Sequence, residues 1–371
     1  MRVIEASTPR ERQAFIGLPF RLYRGDRNWV PPLKRDLAST LTTQGNPFLA
    51  SGPHKLLLAL DDGRPVGRLL VGANAVQNAA KGVRAGYLSL FEAEDERAAF
   101  AVFATAKAYL QDMGIDTLKG PLSPTNGDDY RGLLVHGFDS PPVLFDSYNP
   151  PGYSGYFDAY GFVKDIDLYA YRFVDAAPEL ERARRAVAYA RQRYKYRVDS
   201  LDLRRLDRDM AEIKRVLDAA MPADWSDLSP PSMEEIRAMA KRLKPLVVPD
   251  IIGIARTEAG EPIGFSLALP DYNQVLARMG GSLFPLGWLK FLIYRRRIDA
   301  VRVFVLFVTP PYRNKGVPAA IFVHTLDHGR RLGYRWGEGS TIGELNLPSR
   351  RAAEGAGGVH YKTYRVYTLK L

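Results

Sequence analysis

The strongest constraint in this 371-residue sequence is that its second half repeats the element plan of its first. Residues 2–6 read as a strand. Thr8 then opens a helix with Pro9 at its first position and Glu11 placed to complete a capping box. Residues 54–59 and 65–71 read as a hairpin turned at Asp62-Gly63. A strand over 86–91 and an apolar helix over 97–113, stopped at Gly114, follow. In the second half, helices over 207–220 and 232–243, the latter with Ser232 and Glu235 as a capping box, precede a hairpin over 251–269 turned at Glu258-Ala259-Gly260. A strand over 301–308 and a helix over 318–332 complete the parallel. Both halves end alike, from Asn149 to Tyr171 and from Asn346 to Tyr367, each passing an asparagine, a short helix, a glycine, a lysine and a Tyr-rich strand. The pattern predicts two copies of one α/β (α+β) fold, residues 1–173 and 174–371, joined in the stretch 174–178.

With 46% hydrophobic and 25% charged residues, the chain can bury a core in each copy. The absence of cysteine excludes a disulfide framework, a thiolate metal site and a cysteinyl intermediate. The first fifteen residues lack the apolar run of a signal peptide, and the apolar stretch 283–294 is interrupted by Pro285, Gly287 and Lys290. The expectation is a soluble, cytoplasmic protein without stable membrane insertion. The net charge of +11 fits an anionic partner or a solvated Arg-rich surface, and no zinc-finger, RNP or basic-zipper spacing accompanies it, so no nucleic-acid partner is expected.

The chemistry-bearing motif is Val308-Thr309-Pro310-Pro311-Tyr312-Arg313-Asn314-Lys315-Gly316-Val317-Pro318-Ala319, set between an apolar strand and an apolar helix. A loop there aims free N–H groups and the positive helix end at one place, the geometry that holds a pyrophosphate. Gly316 lets the main chain approach closely, and Arg313 and Lys315 add charge. In these residues the sequence resembles the GNAT superfamily, whose loop reads Arg/Gln-x-x-Gly-x-Gly/Ala. Arg313 and Gly316 match, while Pro318 stands where Gly or Ala is usual and removes one N–H donor. The resemblance implies tandem GNAT-like lobes, each a mixed, mostly antiparallel twisted sheet flanked by helices. It further implies acetyl-CoA, or another acyl-CoA, as co-substrate without a metal. Leu306, Phe307 and Val308 would lie along the pantetheine, with Arg313, Asn314, Lys315, Gly316, Val317, Ala319 and Asn346 completing the coenzyme site. Ala353 occupies the place of the tyrosine that often protonates the leaving thiolate in that family.

For a general base, Glu338 and Glu344 flank the strand after the coenzyme helix, and Asp271 follows the strand that would form the acceptor side. Each also has a bland role, as a paired carboxylate or a turn cap. His324 and His328 have zinc-compatible spacing but no third ligand nearby, so metal binding is not expected. In the first copy the run Glu92, Glu94, Asp95, Glu96 stands where the phosphate loop should be and would repel a pyrophosphate, which predicts a degenerate copy; the alternative is a solvated helix start that the run favours through the helix dipole. Segment 280–297, apolar and then basic, fits an apolar pocket, an anionic membrane surface or packing between lobes. Segment 120–132 reads as a loop facing the cleft. The functional expectation is direct N-acyl transfer, most simply acetyl, to a small-molecule or peptide amine. A non-catalytic acyl-CoA-binding protein and a long-chain N-acyltransferase are the alternatives.

Overall fold

The computed structural model describes residues 1–125, 127, 129–174, 178–221 and 230–371. The expected junction at 175–177, and Asn126 and Asp128 of the 120–132 loop, lie outside the described residues. The chain forms two compact units. The first comprises Met1–Leu168, Asn273–Tyr294 and Lys362–Leu371, and the second Tyr169–Tyr272 and Arg295–Tyr361. Neither unit is a continuous half of the sequence.

In the first unit, β1 (Arg2–Glu5), β2 (His54–Asp61), β3 (Arg64–Gly72) and β4 (Ala85–Ala93) pair antiparallel in that order. The β2–β3 turn takes Asp62 at φ 49° and Gly63 at φ 78°, the backbone a two-residue hairpin demands and an Asp-Gly pair supplies. β4 then runs parallel to β5 (Thr117–Gly120), with β6 (Leu133–His136) further along the chain. The helix Glu96–Asp112 joins β4 to β5 and buries Ala98, Val102, Phe103, Ala106 and Leu110, the three-and-four spacing of one helix face. Phe103 meets Phe91 at 4.9 Å and Phe157 at 4.8 Å between ring centroids. Burying each such side chain stabilises the unit by roughly 1.5–3 kcal/mol. The helix Pro9–Leu22 opens with the capping box read from Thr8 and Glu11. The sheet is closed from far away: residues 367–370 pair antiparallel with β5, and 363–365 with β6.

The second unit repeats the order. β7 (Val163–Val174), whose residues from Tyr169 belong here, lies beside β12, defined below. β8 (Tyr196–Ser200), β9 (Gly253–Thr257), β10 (Pro262–Pro270) and β11 (Ala300–Val308) pair antiparallel. β11 then runs parallel to β12 (Trp336–Gly343), and β13 (Val359–Lys370) ends the chain's regular structure. Because successive strand residues face opposite ways, Ala255 packs with the helix Val317–Arg331 while Ile254 packs with the helix Leu206–Ala220. Next along β9, buried Arg256 ion-pairs with Asp199 at 2.9 Å, Asp209 at 3.0 Å and Glu212 at 2.7 Å. Removing that guanidinium would strand buried carboxylates, a loss of about 3–5 kcal/mol.

In the acidic run of the first unit, Glu92, Glu94 and Asp95 each have local partners. Asp95 caps the helix Glu96–Asp112 by accepting from the Ala98 N–H at 2.8 Å, where the helix dipole favours an anion. Glu94 pairs with Arg21 and Arg64, each at 2.8 Å. Glu92 is buried, accepts from the hydroxyls of Tyr23 at 2.8 Å and Tyr153 at 3.0 Å, and lies 3.7 Å from Arg68. Asn149 does not cap the helix Tyr153–Tyr160 as Asn346 caps its counterpart: its amide bonds the Leu134 main chain at 2.7 and 3.1 Å.

Burial raises the Glu92 carboxyl from 4.5 to about 7, against the opposing pull of Arg68 and the two tyrosines. A folded-state value above the unfolded one gives a contribution complete below pH 4.5 and lost as pH rises through 7. Glu92→Gln, which still accepts from both tyrosines, should therefore gain on the wild type by about 3 kcal/mol as pH rises from 4.5 to 8. Urea unfolding of both proteins across that range checks it; parallel pH profiles would show that Glu92 titrates normally.

Candidate functional site

β11 and β12 pair only over Ala300–Val303 and Trp336–Gly339. Beyond that point β11 continues for five residues while paired to β10 alone, with Val308 opposite Gly264. The pairing of the two parallel strands therefore ends at Val303, and the Phe304–Val308 stretch of β11 continues past it. Of the residues expected along it, Leu306 and Phe307 are half-buried and Val308 is buried. The first unit shows the same geometry: β4 and β5 pair over Ala85–Tyr87 and Thr117–Lys119, and β4 runs on to Ala93.

At the end of β11 the chain turns through Pro310–Tyr312 into the helix Val317–Arg331. Gly316 is its N-cap at φ 72°, with no side chain capping the first turn. That turn can therefore take an outside acceptor on its amides, less the one that Pro318 lacks. Lys315 lies 4.4 Å over the Tyr312 ring, close enough to add a cation to the loop. Arg313 is committed differently: its guanidinium donates to the carbonyls of Val308 at 3.2 Å and Ala220 at 2.7 Å, fixing the loop's path. Asn314 is exposed, Ala319 half-buried, and Val317 fully buried in the core, so Val317 can offer the loop only its main chain. Asn346 caps the helix Leu347–Gly355, accepting from the Ser349 N–H at 3.2 Å.

Glu338 has no exposed surface. It sits on β12 opposite Arg302 of β11, 3.9 Å from that guanidinium, and accepts from the hydroxyls of Ser340 and Tyr361. Arg302 also donates to Ser340 Oγ at 2.8 Å. A carboxylate so enclosed cannot touch an incoming amine, but half-buried Tyr361 carries a hydroxyl on it and links it to the unit's surface. The strand period puts Ser340 on the face of Glu338, a signal present in the sequence. Tyr361 left none, because β13 reaches this place only through the fold. Glu344, half-exposed at the end of β12, is held through its carbonyl by Arg350 at 3.0 Å, and Asp271 is buried after β10. Ala353 is buried against Tyr171 and Phe173. Burial pushes the His324 imidazole down to about 4. Its Nε2 lies 3.2 Å from Ser200 Oγ, and His328 Nδ1 is 2.8 Å from the His324 carbonyl.

Two α/β units of the same order, each with a short parallel strand pair whose first strand runs on past the pairing, define a tandem GNAT-like protein. Its fold matches that of a tandem GNAT protein from the clavulanic acid biosynthesis pathway at a TM-score of 0.58, with 12% identity, over 99% of this chain and 97% of that one. No family model matches the sequence. The chain belongs to the family of the bacterial ceramide synthase of Caulobacter vibrioides: it is 31% identical to that protein over 376 residues, covering 99% of this chain and 97% of the relative. Protein YghO of Escherichia coli is 30% identical over 367 residues, covering 96% and 92%.

The αL backbone at Gly316 makes the fold itself sensitive to a side chain there. A Cβ would stand 2.9 Å from the Ala190 Cβ, and φ 72° disfavours any L side chain. Gly316→Ala should lower unfolding free energy by about 1–3 kcal/mol, read as a reduced urea midpoint at unchanged slope. An unchanged midpoint would show that the loop relaxes freely.

Proposed function

We propose that this protein is an acyl-CoA-dependent N-acyltransferase that moves a long acyl chain onto the amine of a long-chain amino alcohol. The observation that carries this reading is the full-length kinship with a bacterial ceramide synthase, since a ceramide is by its chemistry an N-acylated long-chain amino alcohol. It favours a long-chain donor over the acetyl donor that the loop motif alone suggests most simply. The second unit supplies features that fit coenzyme A: the uncapped turn after Gly316 and the ammonium of Lys315 for the pyrophosphate, and the stretch of β11 beyond its last pair with β12 for the arm.

In such a transfer the amine nitrogen attacks the thioester carbonyl, the C–S bond breaks, and the departing thiolate takes up a proton as the nitrogen loses one. Because Glu338 is enclosed, we assign the passing of that proton to Tyr361, whose hydroxyl donates to the carboxylate. Coenzyme A thioesters of chain lengths from acetyl to palmitoyl, offered with sphinganine, test the reading by released thiol and by the mass of the amide. Palmitoyl transfer at least tenfold faster than acetyl transfer is expected; faster acetyl transfer, or binding without turnover, would overturn it. In the same assay Tyr361→Phe should lower kcat by about 100-fold with little change in KM. Lys315→Glu should weaken coenzyme A binding by on the order of tenfold, measured calorimetrically.

A further inference from the structure

Segment 283–294 is the most apolar surface of the first unit. Phe284 is 74% exposed, Leu286 60% and Trp288 48%, with Leu289, Leu292 and Ile293 each above 40%. Trp288, Leu289, Leu292 and Ile293 recur at i, i+1, i+4 and i+5 on the helix Gly287–Tyr294, so they share one side of it. The helix is anchored beneath: Trp288 N–H bonds the Leu283 carbonyl at 2.8 Å, and Lys290 Nζ donates to the Arg278 carbonyl at 2.9 Å. The Lys34 N–H fixes the preceding turn by donating to the Gly281 carbonyl at 3.1 Å. The apolar side chains are thus presented by an ordered scaffold, which is how an exposed apolar patch marks a docking surface.

Charge identifies what docks there. Between Asp271 and Asp299 the sequence holds no carboxylate and five cations: Arg278, Lys290 and the run Arg295-Arg296-Arg297 that follows the helix directly. A second copy of this chain would bring the same cations against themselves, on a molecule already at +11. An anionic lipid surface complements both features, taking the aromatic and aliphatic side chains below the headgroups and the cations among the phosphates. Eight helical residues span about 12 Å, far less than the roughly 30 Å of a bilayer's hydrocarbon, so the helix lies in the interface. No helix among the described residues is long and apolar enough to cross a membrane.

We infer that the Phe284–Ile293 surface seats this protein on anionic phospholipid bilayers. The inference goes beyond the proposed reaction, does not depend on it, and is tested without it. Flotation of the full chain with vesicles of phosphatidylcholine alone, or with 30 mol% phosphatidylglycerol, should show binding at least tenfold tighter to the anionic vesicles and weakened by added salt. Leu292→Glu/Ile293→Glu, both on exposed positions, should abolish binding. Arg295→Gln/Arg296→Gln should weaken it by about 30-fold, from the loss of two cations near the surface. Circular dichroism of each variant checks that the fold is kept. No flotation of the wild type, or flotation unaffected by either pair of substitutions, overturns the inference. So does a wild-type dimer in sedimentation equilibrium that the Glu pair dissociates, because the surface then belongs to a second copy.

Discussion

Everything in the candidate site depends on a strand pair that stops early. β11 and β12 share four residue pairs, after which β11 runs on to Val308 beside β10. A strand that outruns one neighbour must be held by the other or by the loop that follows it. Here β10 holds β11 to its end at Val308, and Arg313 clamps the Val308 carbonyl just where the strand becomes loop. The same clamp brings the chain into Gly316 and the uncapped helix turn.

The two units solve the problem of buried charge differently. In the first, Glu92 sits among two tyrosine hydroxyls and Arg68, in an interior that favours its neutral form. In the second, Arg256 is met by three carboxylates, and Glu338 by Arg302 and two hydroxyls. Each cluster ties a strand to an element distant in sequence. Polar groups of this kind specify which packing is adopted, since any other would leave them unanswered.

What was legible in the sequence was local. The capping boxes at Thr8 and Ser232 and the Asp62-Gly63 hairpin are written in short spacings, and they appear as read, whereas the helix Pro178–Tyr194 and β8 had no such signal. The loop at Gly316 was legible for the same reason, because backbone conformation and charge are encoded within a few residues. The roles of Arg313, Glu92 and Tyr361 were not, since each depends on a partner brought by tertiary folding: Ala220 for Arg313, Tyr23 and Tyr153 for Glu92, Glu338 for Tyr361. Of the acidic run, the helix start at Asp95 was open to sequence reading, whereas the tyrosines that enclose Glu92 come from elsewhere in the chain.

The return of Lys362–Leu371 to the first unit bears on how the protein is made. β5 and β6 receive their antiparallel partner only from those residues. During synthesis the amino-terminal unit, though translated first, must wait with an open sheet edge until the chain through Leu371 has left the ribosome. An open edge pairs readily with other strands. The interval between the first strand and the last is thus the period in which a nascent chain of this family is most exposed to mispairing, and slowed elongation through the second half would lengthen it.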